Sequence, residues 1–104
     1  MNFARMMQQA KAVQEKMQAL QEEVAAIDVA GEAGGGMVTV RMNGEHRVRS
    51  VTIDEAIWQE RDRALLEDLV AAACNDAAAR VDEVVREKQS AAFSGLPLPP
   101  GFSL

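Results

Sequence analysis

Residues 37–53, with the sequence MVTVRMNGEHRVRSVTI, decide the fold of this chain. In residues 37–42 apolar and polar side chains alternate, which is the period-two pattern of a half-buried β-strand. The pair Asn43-Gly44 follows, and both residue types tolerate the left-handed backbone conformation that tight hairpin turns require. The segment is therefore predicted to form a β-hairpin.

The returning half of the hairpin, residues 46–53, carries one irregularity. Val51 and Ile53 fall on one face of a regular strand, whereas Val48 is out of phase with them. One extra residue inserted into one strand of an antiparallel pair restores such an alternation. We therefore predict a β-bulge near Arg49-Ser50.

A third short strand is predicted before the hairpin, over residues 29–32. The sequence Ala-Gly-Gly-Gly at 33–36 separates the two as a turn whose glycines can adopt positive φ. A phosphate-binding loop also uses a glycine run, but it needs a helix N-terminus directly afterwards, and here a β-patterned segment follows. The sequence thus predicts a three-stranded antiparallel meander.

Residues 3–27, before the sheet, are predicted to form one long amphipathic helix. Apolar side chains recur at the a and d positions of four unbroken heptads, and the segment contains no Gly or Pro. Such a helix is roughly 38 Å long, which is more than the core of so short a chain covers. The stripe is therefore core, the seam of a coiled coil with a partner, or both. Its members are Phe3, Met6, Ala10, Val13, Met17, Leu20, Val24 and Ile27.

Helical segments are also predicted after the sheet. Asp54 is expected to cap a short helical turn, and a second long helix is predicted over residues 62–92. The alanines around Cys74 are small, so another element can pack closely against that helix. The Pro and Gly residues that follow divide the chain into a domain over residues 1–93 and a Pro-rich tail over residues 94–104.

These elements make an α+β chain in the order α-β-β-β-α. A three-stranded sheet cannot cover two helices of this length, and it leaves two edges open for pairing. A symmetric homodimer, joined through the sheets or through the helices, would cover the exposed apolar stripes.

The composition is that of a globular protein with one domain. The chain has 104 residues, of which 48% are hydrophobic and 26% charged, and no apolar run approaches the roughly 18 residues that a membrane span needs. Its first residues show no secretory signal, and the single Cys74 suits the reducing cytoplasm. The net charge of −5 weighs against a protein that binds nucleic acid over its whole surface, but it leaves room for a local basic patch.

Residue types that carry catalysis or bind metals are scarce. The only His, His46, is predicted on the hairpin and the only Cys, Cys74, in the middle of a helix, so no pair of base and nucleophile is expected. No Cys or His cluster has the spacing of zinc ligands. We therefore expect no enzyme activity, no metal site and no cofactor.

The chain resembles the YbaB/EbfC family of small bacterial nucleoid-associated, DNA-binding proteins over nearly its whole length. The resemblance rests on short motifs that occur in order at the family's spacing, each of them weak alone. They are Met6-Met7-Gln8-Gln9-Ala10-Lys11, Gln14-Glu15-Lys16-Met17, Gly31-Glu32-Ala33-Gly34-Gly35-Gly36 followed by Val38, Met42-Asn43-Gly44, Val51-Thr52-Ile53-Asp54, Leu66-Glu67-Asp68-Leu69, Ala73-Cys74-Asn75-Asp76-Ala77 and Leu98-Pro99-Pro100-Gly101-Phe102.

The resemblance implies an α-β-α fold that dimerises through the strand region, with long helices projecting like tweezers. It also implies a cytoplasmic protein of the nucleoid that binds duplex DNA with loose sequence preference and influences gene expression. Basic residues on the helix arms are then the expected phosphate contacts, and the hairpin arginines form a further group. The candidate DNA-binding residues are Arg5, Lys11, Lys16, Arg86, Lys88, Arg41, Arg47 and Arg49.

A second hypothesis is that the chain is a protein-interaction scaffold. The chain is acidic and helical, and it has an apolar stripe on its first helix and a Leu-Pro-rich tail, all of which suit binding to another protein. This hypothesis predicts negligible affinity for DNA at physiological salt.

Overall fold

The computed structural model of this chain describes residues 2–92 and 94. Its elements confirm the predicted α-β-β-β-α order and the three-stranded sheet. The division at residue 93 stays a prediction, because all of the Pro-rich tail except residue 94 lies outside the described residues. The elements are α1 (Phe3–Ala25), β1 (Asp28–Ala33), β2 (Val38–Asn43), β3 (Val48–Ile53), α2 (Glu55–Gln59) and α3 (Arg63–Ala92).

Aspartate side chains fix where the two helices after the sheet begin. Asp54 Oδ1 accepts a hydrogen bond from the backbone N–H of Ala56 (2.9 Å), so α2 begins at the predicted cap. Asp62 Oδ1 accepts one from the backbone N–H of Leu65 (3.1 Å) at the start of α3. Both bonds satisfy donors that the first turn of a helix otherwise leaves unpaired.

The sheet has the order β1-β2-β3, and both pairs of strands are antiparallel. Between β2 and β3 the register shifts, because Met42 lies opposite Val48 whereas Arg41 lies opposite Ser50. Arg49 is thus the extra residue on β3. The bulge predicted from the phase of the valines is confirmed.

The predicted hairpin between β2 and β3 is confirmed, but neither Asn43 nor Gly44 adopts the left-handed conformation in its turn. The residue with positive φ is His46 (φ 62°), and Asn43 remains at the end of β2. Asn43 Oδ1 instead accepts hydrogen bonds from the backbone N–H groups of Glu45 (2.9 Å) and Arg47 (3.0 Å), which folds a wider turn. Gly44 is required for another reason, since a Cβ there would collide with the carbonyl of Val24 in α1.

The core lies between α3 and the sheet. Alternate residues of β2 point towards α3 and are buried, as the period-two pattern predicts, and a stripe of small residues on α3 meets them. The buried residues of this cluster are Val38, Val40, Met42, Ala73, Ala77 and Val81.

Gly31 of β1 brings the backbone of α3 into direct contact with the sheet. A Cβ added at Gly31 would lie 2.6 Å from the carbonyl oxygen of Ala73 and would also collide with the backbone nitrogen of Ala77. The predicted close approach to the alanine-rich helix is therefore confirmed, and the element that approaches is β1.

Because its backbone lies against Gly31, α3 packs over β1 and β2 and does not cover β3. Val48, Val51 and Ile53 lie opposite the buried residues of β2, so they share the core-facing side of the sheet. They nevertheless remain 47%, 44% and 38% exposed. We call these three residues the β3 row.

Only the C-terminal part of α1 packs on α3. Leu20 and Ile27 of the heptad stripe are buried. The Lys16 Nζ donates a hydrogen bond to the carbonyl oxygen of Ala92 (3.3 Å), so the last turn of α3 lies beside the middle of α1. Core packing therefore accounts for the C-terminal third of the stripe.

The remaining part of α1, residues 3–14, projects beyond the end of α3, and we call it the free arm. Its apolar side chains are exposed, with Phe3 at 74%, Met6 at 50% and Val13 at 40%. The molecule is correspondingly long, 71 × 23 × 16 Å. Its radius of gyration is 20.0 Å, whereas a compact domain of this size has about 13 Å.

Asp76 ties β1 to α3. Its Oδ2 accepts hydrogen bonds from the backbone N–H of Glu32 (2.9 Å) and from Arg80 Nε (3.1 Å). These two bonds, the backbone one first, hold the pKa of the Asp76 carboxyl below its usual value. The carboxylate therefore stabilises the folded state when it is ionised.

Asp76→Asn should lower the thermal midpoint of unfolding by a few degrees at pH 7. Because the folded-state pKa is depressed, the contribution is complete above the unfolded-state value of about 3.9 and is lost as the pH falls through the lower folded-state value. The midpoints of the variant and the parent chain should converge in acid when both are followed by circular dichroism. Asp68→Asn, at an exposed position of the same helix, should leave the midpoint unchanged, and a gap that did not narrow as the pH falls below the ordinary pKa of an aspartate would contradict this role.

Candidate nucleic-acid interface

The eight candidate DNA-binding residues do not form one patch. The structure divides them among the free arm with its junction to α3, the β2–β3 hairpin and the C-terminal part of α3. The groups are Arg5, Lys11 and Lys16 on α1, Arg41, Arg47 and Arg49 on the hairpin, and Arg86 and Lys88 on α3.

The free arm is the basic part of an acidic chain. Residues 3–14 contain Arg5 and Lys11 and no Asp or Glu. Both side chains are exposed, and neither forms an ion pair within residues 2–92. At 100° per residue, they lie on opposite sides of the apolar stripe, with Lys16 on the same side as Arg5. The arm therefore offers a large anionic partner two exposed cations that form no ion pair within the described residues.

The hairpin group is less uniform than its sequence suggests. Arg41 Nη2 lies 3.0 Å from Asp28 Oδ2 on the neighbouring strand, so one of the three arginines already has an acidic partner. Arg47 and Arg49 are exposed. A regular strand would place those two on one face, but Arg49 is the bulged residue and the alternation is interrupted there.

The α3 group lies in acidic or half-buried surroundings. Arg86 lines a shallow surface depression together with Glu83 and Glu87. Lys88 is half-buried, and it lies one turn before Ala92, whose carbonyl is bound by Lys16 of α1. Neighbouring carboxylates and burial both weaken the attraction of these two cations for phosphate.

His46 and Cys74 do not form a catalytic pair. His46 Nε2 lies 2.7 Å from Asp82 Oδ1, which ties the hairpin turn to α3, and both side chains are about half exposed. Cys74 is half-buried two turns earlier on α3 and packs against the core cluster. Among residues 2–92 and 94, no group of three His, Cys, Asp or Glu side chains is placed to hold a metal ion.

Trp58 and its surroundings form a surface that the sequence analysis did not identify. Trp58 is 63% exposed, and it borders a cleft of about 450 Å³ that Ile57, Arg61, Arg63 and Leu66 also line. The first residue of the cleft lining, Ile57, comes four positions after Ile53, the last residue of the β3 row. The sequence does hold an indication of this surface. Trp58 is a large apolar residue in a five-residue helix, and a helix that short cannot bury both of its faces.

Comparison with known proteins matches this chain to a protein family and to solved structures. A model of the YbaB/EbfC DNA-binding family matches residues 1–96. The crystal structure of the uncharacterized protein HP0035 from Helicobacter pylori superposes with a TM-score of 0.68 at 24% sequence identity, covering 93% of this chain and 99% of that chain. This second match concerns the fold. Within the part of the chain that the structure describes, no helix is long and apolar enough to cross a membrane.

Proposed function

This chain belongs to the YbaB/EbfC DNA-binding family, and we propose that it binds duplex DNA as a homodimer through phosphate contacts with loose sequence preference. We place it in the cytoplasm, on the nucleoid, where it influences nucleoid organisation and gene expression. The observation that carries the proposal is the free arm, which contains two exposed cations and no acidic residue, and whose cations form no ion pair within the described residues.

The free arm suits phosphate contact better than base readout. Arg5 and Lys11 lie on a single exposed helix, so they can reach the backbone of a duplex on either side of the arm. Phosphate contacts position a protein on DNA but carry no direct sequence information, which accounts for a loose preference. The net charge of −5 repels DNA elsewhere and so favours contact at the arms.

A homodimer would double the number of these contacts. β3 is an edge strand in the described sheet, and its β3 row is left uncovered by α3. An open strand edge beside exposed apolar side chains favours pairing with a second copy. Two arms then provide about four to six phosphate contacts from Arg5, Lys11 and Lys16.

Fluorescence anisotropy of a labelled duplex of about 30 base pairs, titrated with the protein at several salt concentrations, tests the DNA-binding proposal. Four to six phosphate contacts predict that the logarithm of the affinity falls with the logarithm of salt concentration with a slope of roughly −4 to −5. Saturable binding with that slope supports the proposal. Absence of binding even at low salt would contradict it.

Val51→Lys should convert the homodimer to a monomer. The lysine stem fits the half-exposed site in a monomer, whereas in the dimer two like charges would meet within an apolar contact. Sedimentation velocity at micromolar concentration measures the result. Thr52→Lys, which places the same charge on the opposite face of β3, should leave the mass unchanged. A dimer that survives Val51→Lys would exclude the β3 row as its interface.

The same arm also favours a second function, binding of another protein. Phe3, Met6, Met7, Val13 and Met17 form an exposed apolar stripe on α1, and DNA phosphates do not cover such a surface. A protein-interaction scaffold would show negligible DNA affinity at physiological salt. Affinity purification would then recover a stoichiometric protein partner whose binding depends on the stripe.

A further inference from the structure

We propose that Trp58 and Arg63 extend the homodimer interface beyond β3 and dock on the β2–β3 turn of the second copy. This inference rests on the proposed homodimer and specifies its contact surface. The first reason is size, because a stable interface buries about 800 Å² on each partner and involves roughly 20 residues a side. The six residues of β3 cannot supply that area alone.

The position of Trp58 follows from the symmetry of strand pairing. An edge strand that pairs with its own copy about a two-fold axis runs antiparallel to it. The C-terminal end of one β3 then lies beside the N-terminal end of the other. Trp58 comes five residues after Ile53, and the turn at residues 44–47 immediately precedes Val48. The cleft of one protomer therefore faces the turn of its partner.

The chemistry of the two surfaces is complementary. Trp58 offers a large exposed aromatic surface, and Trp and Arg are the residue types that most often anchor interfaces. On the turn, Glu45 is exposed and forms no ion pair within the described residues. Asp62, the acid next to Arg63, already caps α3. A contact between Arg63 and Glu45 across the interface would thus join opposite charges.

DNA is a poor occupant for this cleft. The cleft is lined by Arg61 and Arg63 with Asp62 between them, whereas residues 54–60 beside it carry three acidic and no basic side chains, so a phosphate backbone that approaches from that side is repelled. Two further exposed apolar residues lie close to the cleft in the chain: Ile53 ends β3, and Leu65 directly precedes Leu66 of the cleft lining. A second copy of the chain covers these exposed apolar side chains together with Trp58.

The intrinsic fluorescence of the full chain tests the inference, because Trp58 is its only tryptophan. Emission should move to longer wavelength on dilution, in step with the dissociation measured by sedimentation. Trp58→Ala should raise the dimer dissociation constant about 30-fold. Gln59→Ala, on the same short helix, should leave the dissociation constant unchanged. Circular dichroism checks that both variants keep the fold.

A charge exchange adds a test that does not depend on the tryptophan. Glu45→Arg should weaken the dimer roughly five-fold, and adding Arg63→Glu should restore it. A chain that is monomeric at every concentration overturns the homodimer and this inference together. A dimer that Val51→Lys disrupts, but that shows no emission change on dissociation and no effect of Trp58→Ala, overturns this inference and leaves the homodimer in place.

Discussion

Replacing Arg5 and Lys11 by Gln should lower the affinity for duplex DNA by roughly 100-fold at low salt and flatten its salt dependence. In a homodimer each substitution removes two cations, so four phosphate contacts are lost. Each lost contact makes the slope shallower by about 0.9, which brings a slope of roughly −4 to −5 close to −1. The slope of the salt dependence is more informative than the affinity, because it reports the number of phosphate contacts, whereas the affinity also changes with other interactions.

Lys16 is retained in this variant for a structural reason. Its Nζ donates a hydrogen bond to the carbonyl of Ala92 and so holds α1 against α3. A Lys16 substitution would mix a loss of charge with a change in the position of the arm. Neither the Arg5 nor the Lys11 side chain forms a hydrogen bond of this kind within the described residues.

Arg86→Gln with Lys88→Gln is the matched comparison, since it removes the same charge from α3. We expect less than a ten-fold loss of affinity, because Arg86 lies between two glutamates and Lys88 is half-buried. Anisotropy titrations of the parent chain and both variants at matched salt provide the measurement. If the arm substitutions leave the slope of the salt dependence unchanged, the DNA interface should instead be assigned to the exposed hairpin arginines, Arg47 and Arg49.

The second large effect is expected at Gly31, where Gly31→Ala should destabilise the fold by about 3 kcal/mol. The new methyl group would meet the backbone of Ala73 and Ala77 on α3. Backbone atoms cannot rotate away as a side chain can, so the helix itself has to move off the sheet. For a domain of about 100 residues, this corresponds to a fall in the melting temperature of roughly 12–24 °C.

Gly35→Asn is the control for this experiment. Gly35 has φ +67°, a Cβ added there would have no neighbouring atom within 4 Å, and Asn tolerates the left-handed conformation. The free energy of unfolding of this variant should therefore change little in urea denaturation. A Gly31→Ala variant as stable as the control would mean that α3 is not seated on β1 as described.

Local chemistry made most of the fold predictable from sequence. The alternation in β2, the out-of-phase position of Val48 and the capping Asp54 before α2 each depend on residues close together in the chain. The hairpin predicted from Asn43-Gly44 is confirmed, but its turn is wider, because the Asn43 side chain bonds the backbone and His46 adopts the left-handed conformation. Residues in the strands and helices fix their own periodicity, but a turn depends on what packs against it.

The candidate interface was less predictable for the same reason. The sequence showed eight basic residues, but not that Asp28 pairs with Arg41 or that Lys16 reaches the end of α3. The β3 row has the pattern of a buried face, and only the position of α3 shows that it is uncovered. The exposure of Trp58 was not predictable from the sequence, because the exposure of a side chain depends on the elements that pack around it.

By itself, the sequence determined the order of the elements, the alternating faces of β2 and β3, a bulge near Arg49-Ser50 and the family. These depend on periodicity and short motifs, which a single chain displays in order. Only the tertiary structure determined how much of the heptad stripe is buried and which strand α3 does not pack against. The physical reason is that the lateral position of a helix on a sheet is set by steric fit between distant residues, here the missing side chain of Gly31 against Ala73 and Ala77.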